Sequence, residues 1–204
     1  ILRDMIDIGK LVKVSVMEIH NNKCYDLLNN KKVIVQRENY ENNYVLSSCN
    51  QETIINNEQI NKFKVNLKNR RTGISSENDQ SSRSHLIINI EFAKKTLKIL
   101  DLAGCEKARR SLCKDRYEFK ENGEINQSLF VLKECIRALI DGKKHIPFRR
   151  CELTKVLKDS FDPKNKTFVM STISQEIRNS QINLDVLNYI CLLYTSDAAD
   201  EEAG

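Results

Sequence analysis

The sequence predicts an α/β fold in which helices flank a central β sheet, and three observations carry that expectation. Residues 11–20 (LVKVSVMEIH) alternate apolar and polar positions and are rich in β-branched side chains, as a strand is. Two more strand-like runs, Ser84–Phe92 and Lys95–Asp101, are joined by a tight Ala93-Lys94 connection. Helical periodicity takes over in Asn126–Ile140, where Leu129, Leu132, Ile136, Leu139 and Ile140 fall on one stripe.

The remaining elements follow in chain order. Asn21-Asn22 read as a turn, and Cys24–Leu28 as the start of a short helix. Tyr44–Ser48 suggest a strand, and Asn57–Arg71 a helix with Ile60, Phe63 and Leu67 at spacings of three and four. Thr72–Gln80 have the Gly, Ser, Asn and Asp content of a loop, and residues 105–122 are polar and charged, a long loop. Pro147 lies in the connection to a helix over Cys151–Ser160. Thr167–Ile173 read as a β-branched strand and Ser180–Ile190 as a last helix, with no internal repeat anywhere.

At 204 residues the chain is one domain or a large piece of one, with 40% hydrophobic and 30% charged residues, ordinary for a soluble globular protein. No apolar run has the length of a membrane span, and Arg3, Asp4 and Asp7 interrupt any signal-like N-terminus. Seven scattered cysteines without a C-x-x-C pair read as reduced intracellular thiols, and the three histidines lack metal-ligand spacing. A net charge of +5 permits an acidic partner without requiring one.

Two short strings carry chemistry. Ser81-Ser82-Arg83-Ser84-His85 offers hydroxyls and a planar guanidinium, groups that suit a phosphate and its Mg²⁺. Asp101-Leu102-Ala103-Gly104 closes an apolar run with a carboxylate able to face Mg²⁺ and a glycine whose N–H can approach a γ-phosphate. Each has a plainer alternative: a solvated turn, a capping Asp, a turn Gly, or, for Glu106, an ordinary surface carboxylate. A phosphate-gripping loop would need Gly-x4-Gly-Lys-Ser/Thr, but Gly9-Lys10 and Gly142-Lys143 have Asp4 and Arg137 where the first glycine belongs.

Asn78-x-x-Ser81-Ser82-Arg83-Ser84-His85 resembles switch I of kinesin motors, and Asp101-Leu102-Ala103-Gly104-x-Glu106 resembles their switch II. Glu124–Leu129, His145–Arg149, Leu153–Ser160 and, upstream, Met17–Asn21 with Tyr25–Leu28 match further family strings in order, so the resemblance covers roughly residues 10–190. It implies a partial P-loop NTPase-type kinesin motor fold over residues 1–190, with the P-loop portion upstream of Ile1. It also implies ATP and Mg²⁺ as cofactors, with Asn78, Ser81, Ser82 and Asp101 around the nucleotide and Ser81 and Asp101 on Mg²⁺, the latter through water. Arg83 and Glu106 would form a latch, with Gly104 sensing the γ-phosphate. Microtubule-stimulated ATP hydrolysis follows, coupled to movement or to end depolymerisation. Tubulin is then the partner, without nucleic acid or membrane, in the cytoplasm on the microtubule cytoskeleton or spindle, and any dimerisation falls to segments outside this chain.

Lys133-Glu134-Cys135-Ile136-Arg137-Ala138-Leu139 resembles the switch-II helix of the microtubule-depolymerising kinesin-13 subfamily. From Lys133 to Asp159, eight basic residues stand against four acidic ones, a net +4 suited to an acidic polymer, though also to a solvated helix face. The resemblance assigns Lys133, Arg137, His145, Arg149, Arg150 and Lys155 to tubulin. Gln127 and Glu152 depart from the family's usual lysines, Cys105 from its Ser or Asn, and Lys107–Glu121 match poorly. Residues 191–204 fall outside the family pattern and resemble translated sequencing-adapter read-through, the alternative being an acidic disordered tail. Two rival identities remain: a catalytically inactive kinesin-like module that binds tubulin or dimerises, and another P-loop NTPase such as a GTPase. The Ser81–His85 and Lys133–Leu139 strings argue against the GTPase.

Overall fold

Nine residues, Val12–His20, form the strand around which the sheet is built (β1); all but Lys13 are buried. Asn21 and Asn22, at φ 50° and 51°, make the tight left-handed turn that returns the chain into β2 (Lys23–Asp26). β3 (Lys32–Glu38), β4 (Tyr44–Ser47) and β5 (Glu52–Ile54) follow, then helix α1 (Asn57–Leu67). A short hairpin of β6 (Thr72–Ile74) and β7 (Gln80–Ser82) precedes β8 (His85–Phe92) and β9 (Lys95–Asp101). Helix α2 spans Arg116–Ile140 and helix α3 spans Glu152–Leu157. The computed structural model describes residues 2, 11–38, 44–47, 49–67, 70, 72–74, 80–93, 95–104, 116–176, 180–181, 183–188 and 191; the side chains of 37–38, 44–47, 72–74, 80–82 and 116–118 lie outside that description.

The chain divides into two compact units, Ile1–Ile125 and Asn126–Gly204. In the first, the strands run β4-β3-β2-β1-β8-β9, with β5 on the free stretch of β1 and every described ladder of this sheet antiparallel. Val12, Val14 and Val16 point to one face, where they meet Leu27, Ile54, Leu86 and Ile90 and the α1 residues Ile60 and Phe63. Burying each α1 side chain contributes about 1.5–3 kcal/mol, which is what binds an otherwise polar helix to the sheet. Asn56 starts α1: its Oδ1 accepts from Gln59 N–H at 2.9 Å, while Gln59 Oε1 accepts from Ile55 N–H at 2.7 Å, close to a capping box.

In the second unit, α2 buries Leu129, Val131, Leu132, Cys135, Ile136 and Ala138. It ends at Gly142, whose φ of +60° lets Lys143 N–H reach Ala138 O at 2.9 Å and Gly142 N–H reach Leu139 O at 3.0 Å, a glycine-capped terminus. Phe148 stacks on Phe161 with centroids 6.0 Å apart, and the fully buried Thr154 places Oγ1 2.8 Å from Phe148 O.

Four expectations are corrected. Cys24–Leu28 begin no helix: Cys24–Asp26 pair with β1 and β3, and the buried Asp26 carboxylate accepts from Leu28 N–H at 2.9 Å and Asn50 N–H at 2.7 Å, fixing a turn. The loop expected over Thr72–Gln80 contributes both ends of the β6–β7 hairpin. Helix α2 starts within the expected loop, at Arg116; the Lys120–Glu124 pair at 3.9 Å and the long-range contacts of Glu121 with His20 and of Asn122 with Arg83 support these early turns. Residues 167–173 join no ladder; a strand requires a neighbour for its N–H and C=O groups, and here Phe168 is 90% and Met170 93% exposed. Among the described residues, no helix is long and apolar enough to cross a membrane.

Candidate functional site

The two strings singled out by sequence leave the sheet side by side. β8 begins where β9 ends, with Leu86 opposite Asp101 in register, so the polar residues before His85 and those after Asp101 share one edge. His85 itself pairs with Ile19 on β1. The first string is thus anchored directly on the deeply buried β1, and the second is joined to it through β8.

Three sets of contacts organise this edge. Arg70, just beyond α1, lies between the strings: Nε donates to Ser84 Oγ at 3.4 Å, Nη2 to the Ser84 carbonyl and to Asp101 O at 3.2 Å, and Nη1 to the Asp101 carboxylate. Ser84 Oγ in turn donates to Glu18 Oε1 at 2.7 Å, and Lys31 Nζ stands 3.5 Å from Glu18 Oε2. The second set is a single buried bond, Ala103 N–H to His85 Nδ1 at 3.1 Å. Burial, and then the Arg70 charge, push His85 down to about 4 against a weaker opposing pull from Asp101, so the imidazole is neutral and keeps its proton on Nε2. In the third set, Arg83 Nη1 donates to Asn122 Oδ1 at 2.6 Å and sits 4.0 Å from Glu121 Oε2, while His20 Nε2 donates to Glu121 Oε1 at 2.5 Å. The Asn122 bond is the firmer hold on Arg83; the Glu121 carboxylate adds charge at longer range.

The expected site residues are distributed as follows. Arg83, Asp101 and Gly104 reach the shared edge; the Asp101 side chain is 64% exposed even with Arg70 against it, and Gly104 is exposed. Ser81 and Ser82 lie on β7, opposite Gly73 and Thr72, with their side chains outside the description. Asn78 and Glu106 lie outside the described residues altogether. Of the basic set, Arg137, His145, Arg149 and Arg150 are exposed and Lys133 is half-buried. Arg137 pairs with Glu134 at 3.6 Å and Lys155 with Glu152 at 2.5 Å, so part of the positive charge is answered locally.

Five residues of the site were given no role by sequence reasoning: Glu18, His20, Arg70, Glu121 and Asn122. A glutamate and a histidine inside an apolar strand were the available signal for two of them, since such groups are buried only with partners. Arg70 carried only the hint of a basic residue at the entrance to a Gly/Ser loop.

The family model for the kinesin motor domain matches residues 5–192. The mouse kinesin-like protein KIF24 is 38% identical over 185 residues, covering 87% of this chain and 14% of that protein. The Arabidopsis thaliana kinesin-like protein KIN-13B is 34% identical over 190 residues, covering 86% of this chain and 28% of its own length. The chain thus spans well under a third of these relatives. Among solved structures, a microtubule-bound KIF14 dimer with AMP-PNP superposes with a TM-score of 0.78 at 25% identity, covering 90% of this chain and 57% of that one.

Proposed function

The chain belongs to the kinesin motor-domain family, and from that premise we propose that it is the switch-bearing part of a microtubule-stimulated ATPase. One observation carries this reading: the Ser84-His85 end of one string and Asp101–Ala103 of the other lie at one sheet edge and are cross-linked there by Arg70 and by the His85–Ala103 bond. An edge that gathers a carboxylate, an exposed glycine and two guanidinium groups has the composition of a phosphate-sensing site.

The described groups fit a Mg²⁺-nucleotide. Mg²⁺ is bound through one or two carboxylates with water and phosphate oxygens, and Asp101 supplies a single, largely exposed carboxylate at a strand end. When bound, MgATP supplies the γ-phosphate whose presence or loss the two loops read. Asp101 would hold the metal side of the site through water, and Ser81, Ser82 and Asn78, which precede β8 in sequence, would meet the nucleotide. Gly104 would offer its N–H to the γ-phosphate, and Arg83 with Glu106 would close the loops over the nucleotide. Helix α2, whose early turns hold Arg83 through Asn122 and Glu121, continues in sequence into Lys133 and Arg137, and through it the state of the loops reaches tubulin. Lys133, Arg137, His145, Arg149, Arg150 and Lys155 meet the acidic polymer.

Residues 1–190 form the motor portion in this reading, and 191–204 stand outside it. The Lys133–Leu139 string, together with the 34% identity to KIN-13B, favours end depolymerisation over walking. Incubating the full-length protein with stabilised microtubules and ATP tests both points: turnover rises with microtubules and polymer shortens from its ends. Turnover that ignores microtubules removes the motor assignment, and gliding without shortening removes the depolymerase.

A further inference from the structure

We propose that Glu18 is a positioning residue for the Arg70–Asp101 pair, acting through Ser84. Glu18 is fully buried between Met17 and Ile19, in a strand that is apolar on either side of it. A carboxylate at such a position costs several kcal/mol unless it is paired, so its retention calls for a specific partner. Its partners include Lys31 at 3.5 Å and the Ser84 hydroxyl at 2.7 Å.

The second contact has a directional consequence. A serine hydroxyl has one proton and rotates freely unless something claims it. Glu18 claims it, which turns the Ser84 lone pairs away from the carboxylate and toward Arg70 Nε, 3.4 Å distant. Arg70 then spends one edge of its planar fork on Ser84, through Nε and Nη2, and another on Asp101, through Nη1 and Nη2. Because the guanidinium is rigid, fixing one edge fixes the other. The relay Glu18–Ser84–Arg70–Asp101 therefore runs from a fully buried carboxylate to one whose side chain is 64% exposed, and it transmits orientation from the sheet interior to the proposed metal-side carboxylate. A lysine at position 70 could not perform this step, since a point charge has no second edge to align.

The geometry stands whether or not the chain is a motor; the consequence for turnover rests on that reading, and the test separates the two. In the 204-residue chain labelled with ¹⁵N-arginine and ¹⁵N-alanine, water exchange of the Arg70 Nε–H is followed by NMR, with the buried Ala103 amide as the reporter of an intact fold. Exchange should quicken about tenfold in Ser84→Ala and Glu18→Leu, and by less in Glu18→Gln, which keeps an acceptor but loses the charge. Unchanged Arg70 exchange in these variants with Ala103 still protected overturns the proposal. If Glu18→Leu does not fold, the Glu18→Gln and Ser84→Ala pair decides alone. In the full-length protein, Glu18→Gln and Ser84→Ala should each lower kcat about tenfold with KM for ATP little changed, and the double variant should be no worse than either single. Additive losses would overturn the relay. A wild-type protein without ATPase activity would sink the motor reading and leave the NMR result to stand by itself.

Discussion

The imidazole of His85 accepts, through Nδ1, a hydrogen bond from the Ala103 amide at 3.1 Å, and both residues are buried. This bond joins the start of β8 to the loop after β9. It exists only while Nδ1 keeps its lone pair, that is, while the ring is neutral.

Stability should therefore fall with acid in a defined window. His85 is held down to about 4 in the folded chain and returns to about 6.5 when unfolded. Between those values the unfolded chain binds a proton that the folded chain refuses, so this contribution is fully present above pH 6.5 and is lost progressively as pH falls toward 4. The total is on the order of 3 kcal/mol. Urea midpoints measured from pH 7.5 to 4.5 check it by comparison with His85→Gln, since carboxylates titrate alike in both. Parallel curves for the two proteins would exclude His85 as the source.

How much of this was readable beforehand depended on the range of the interactions involved. β1, β8, β9 and α1 announce themselves through local periodicity, and Ser81–His85 and Asp101–Gly104 through residue type. Cys24–Leu28 were misread because Tyr25-Asp26-Leu27-Leu28 has no local feature that distinguishes a helix start from a strand and turn; the deciding bond, Asn50 N–H to Asp26, spans 24 residues. Residues 167–173 show the reverse case, strand-like composition without a neighbour to make it a strand. The contacts that order the site, Ser84 to Glu18 and Arg83 to Asn122, connect residues 66 and 39 apart, beyond any sequence window.

Arg83 is the residue on which the proposed latch turns. Its guanidinium is already held by Asn122 at 2.6 Å, so truncation removes a directed donor from the loop without emptying the core. Arg83→Ala or Glu106→Ala in the full-length protein should reduce microtubule-stimulated ATPase by about 100-fold or more, with nucleotide affinity changed only a few-fold. Arg83→Lys should not rescue, because an ammonium cannot satisfy two acceptors with a planar fork. Wild-type turnover in either alanine variant would remove the latch assignment.

Thiol chemistry should follow burial. Cys135 is fully buried and pushed up to about 11, by burial first and then by Cys151 and Glu134 against an opposing pull from Arg150. Cys49 is raised to about 11 by burial and by the Asp26 charge. Neither forms appreciable thiolate at pH 7.5, whereas Cys191 is exposed. Site-resolved mass spectrometry after brief iodoacetamide treatment should find Cys191 labelled at least tenfold faster than Cys49 or Cys135. Equal rates would mean that the core around Cys135 opens on the labelling timescale.

Glu152 offers the most direct test of the proposed tubulin face. Its carboxylate lies 2.5 Å from Lys155 Nζ, so it both subtracts a charge from the basic segment and occupies one of that segment's cations. Both side chains are partly exposed, which keeps the pair's own contribution to stability under about 1 kcal/mol. Glu152→Lys changes the local charge by +2 and frees Lys155 while leaving the fold nearly unaffected. Microtubule cosedimentation of the full-length protein at low salt should show affinity rising several-fold, and the gain should shrink as ionic strength approaches 0.15 M, where screening acts over about 8 Å. A Glu152→Gln variant should fall between the two. If affinity is flat across all three proteins at low salt, the polymer does not meet this segment, and the basic residues from Lys133 to Lys155 are a solvated surface.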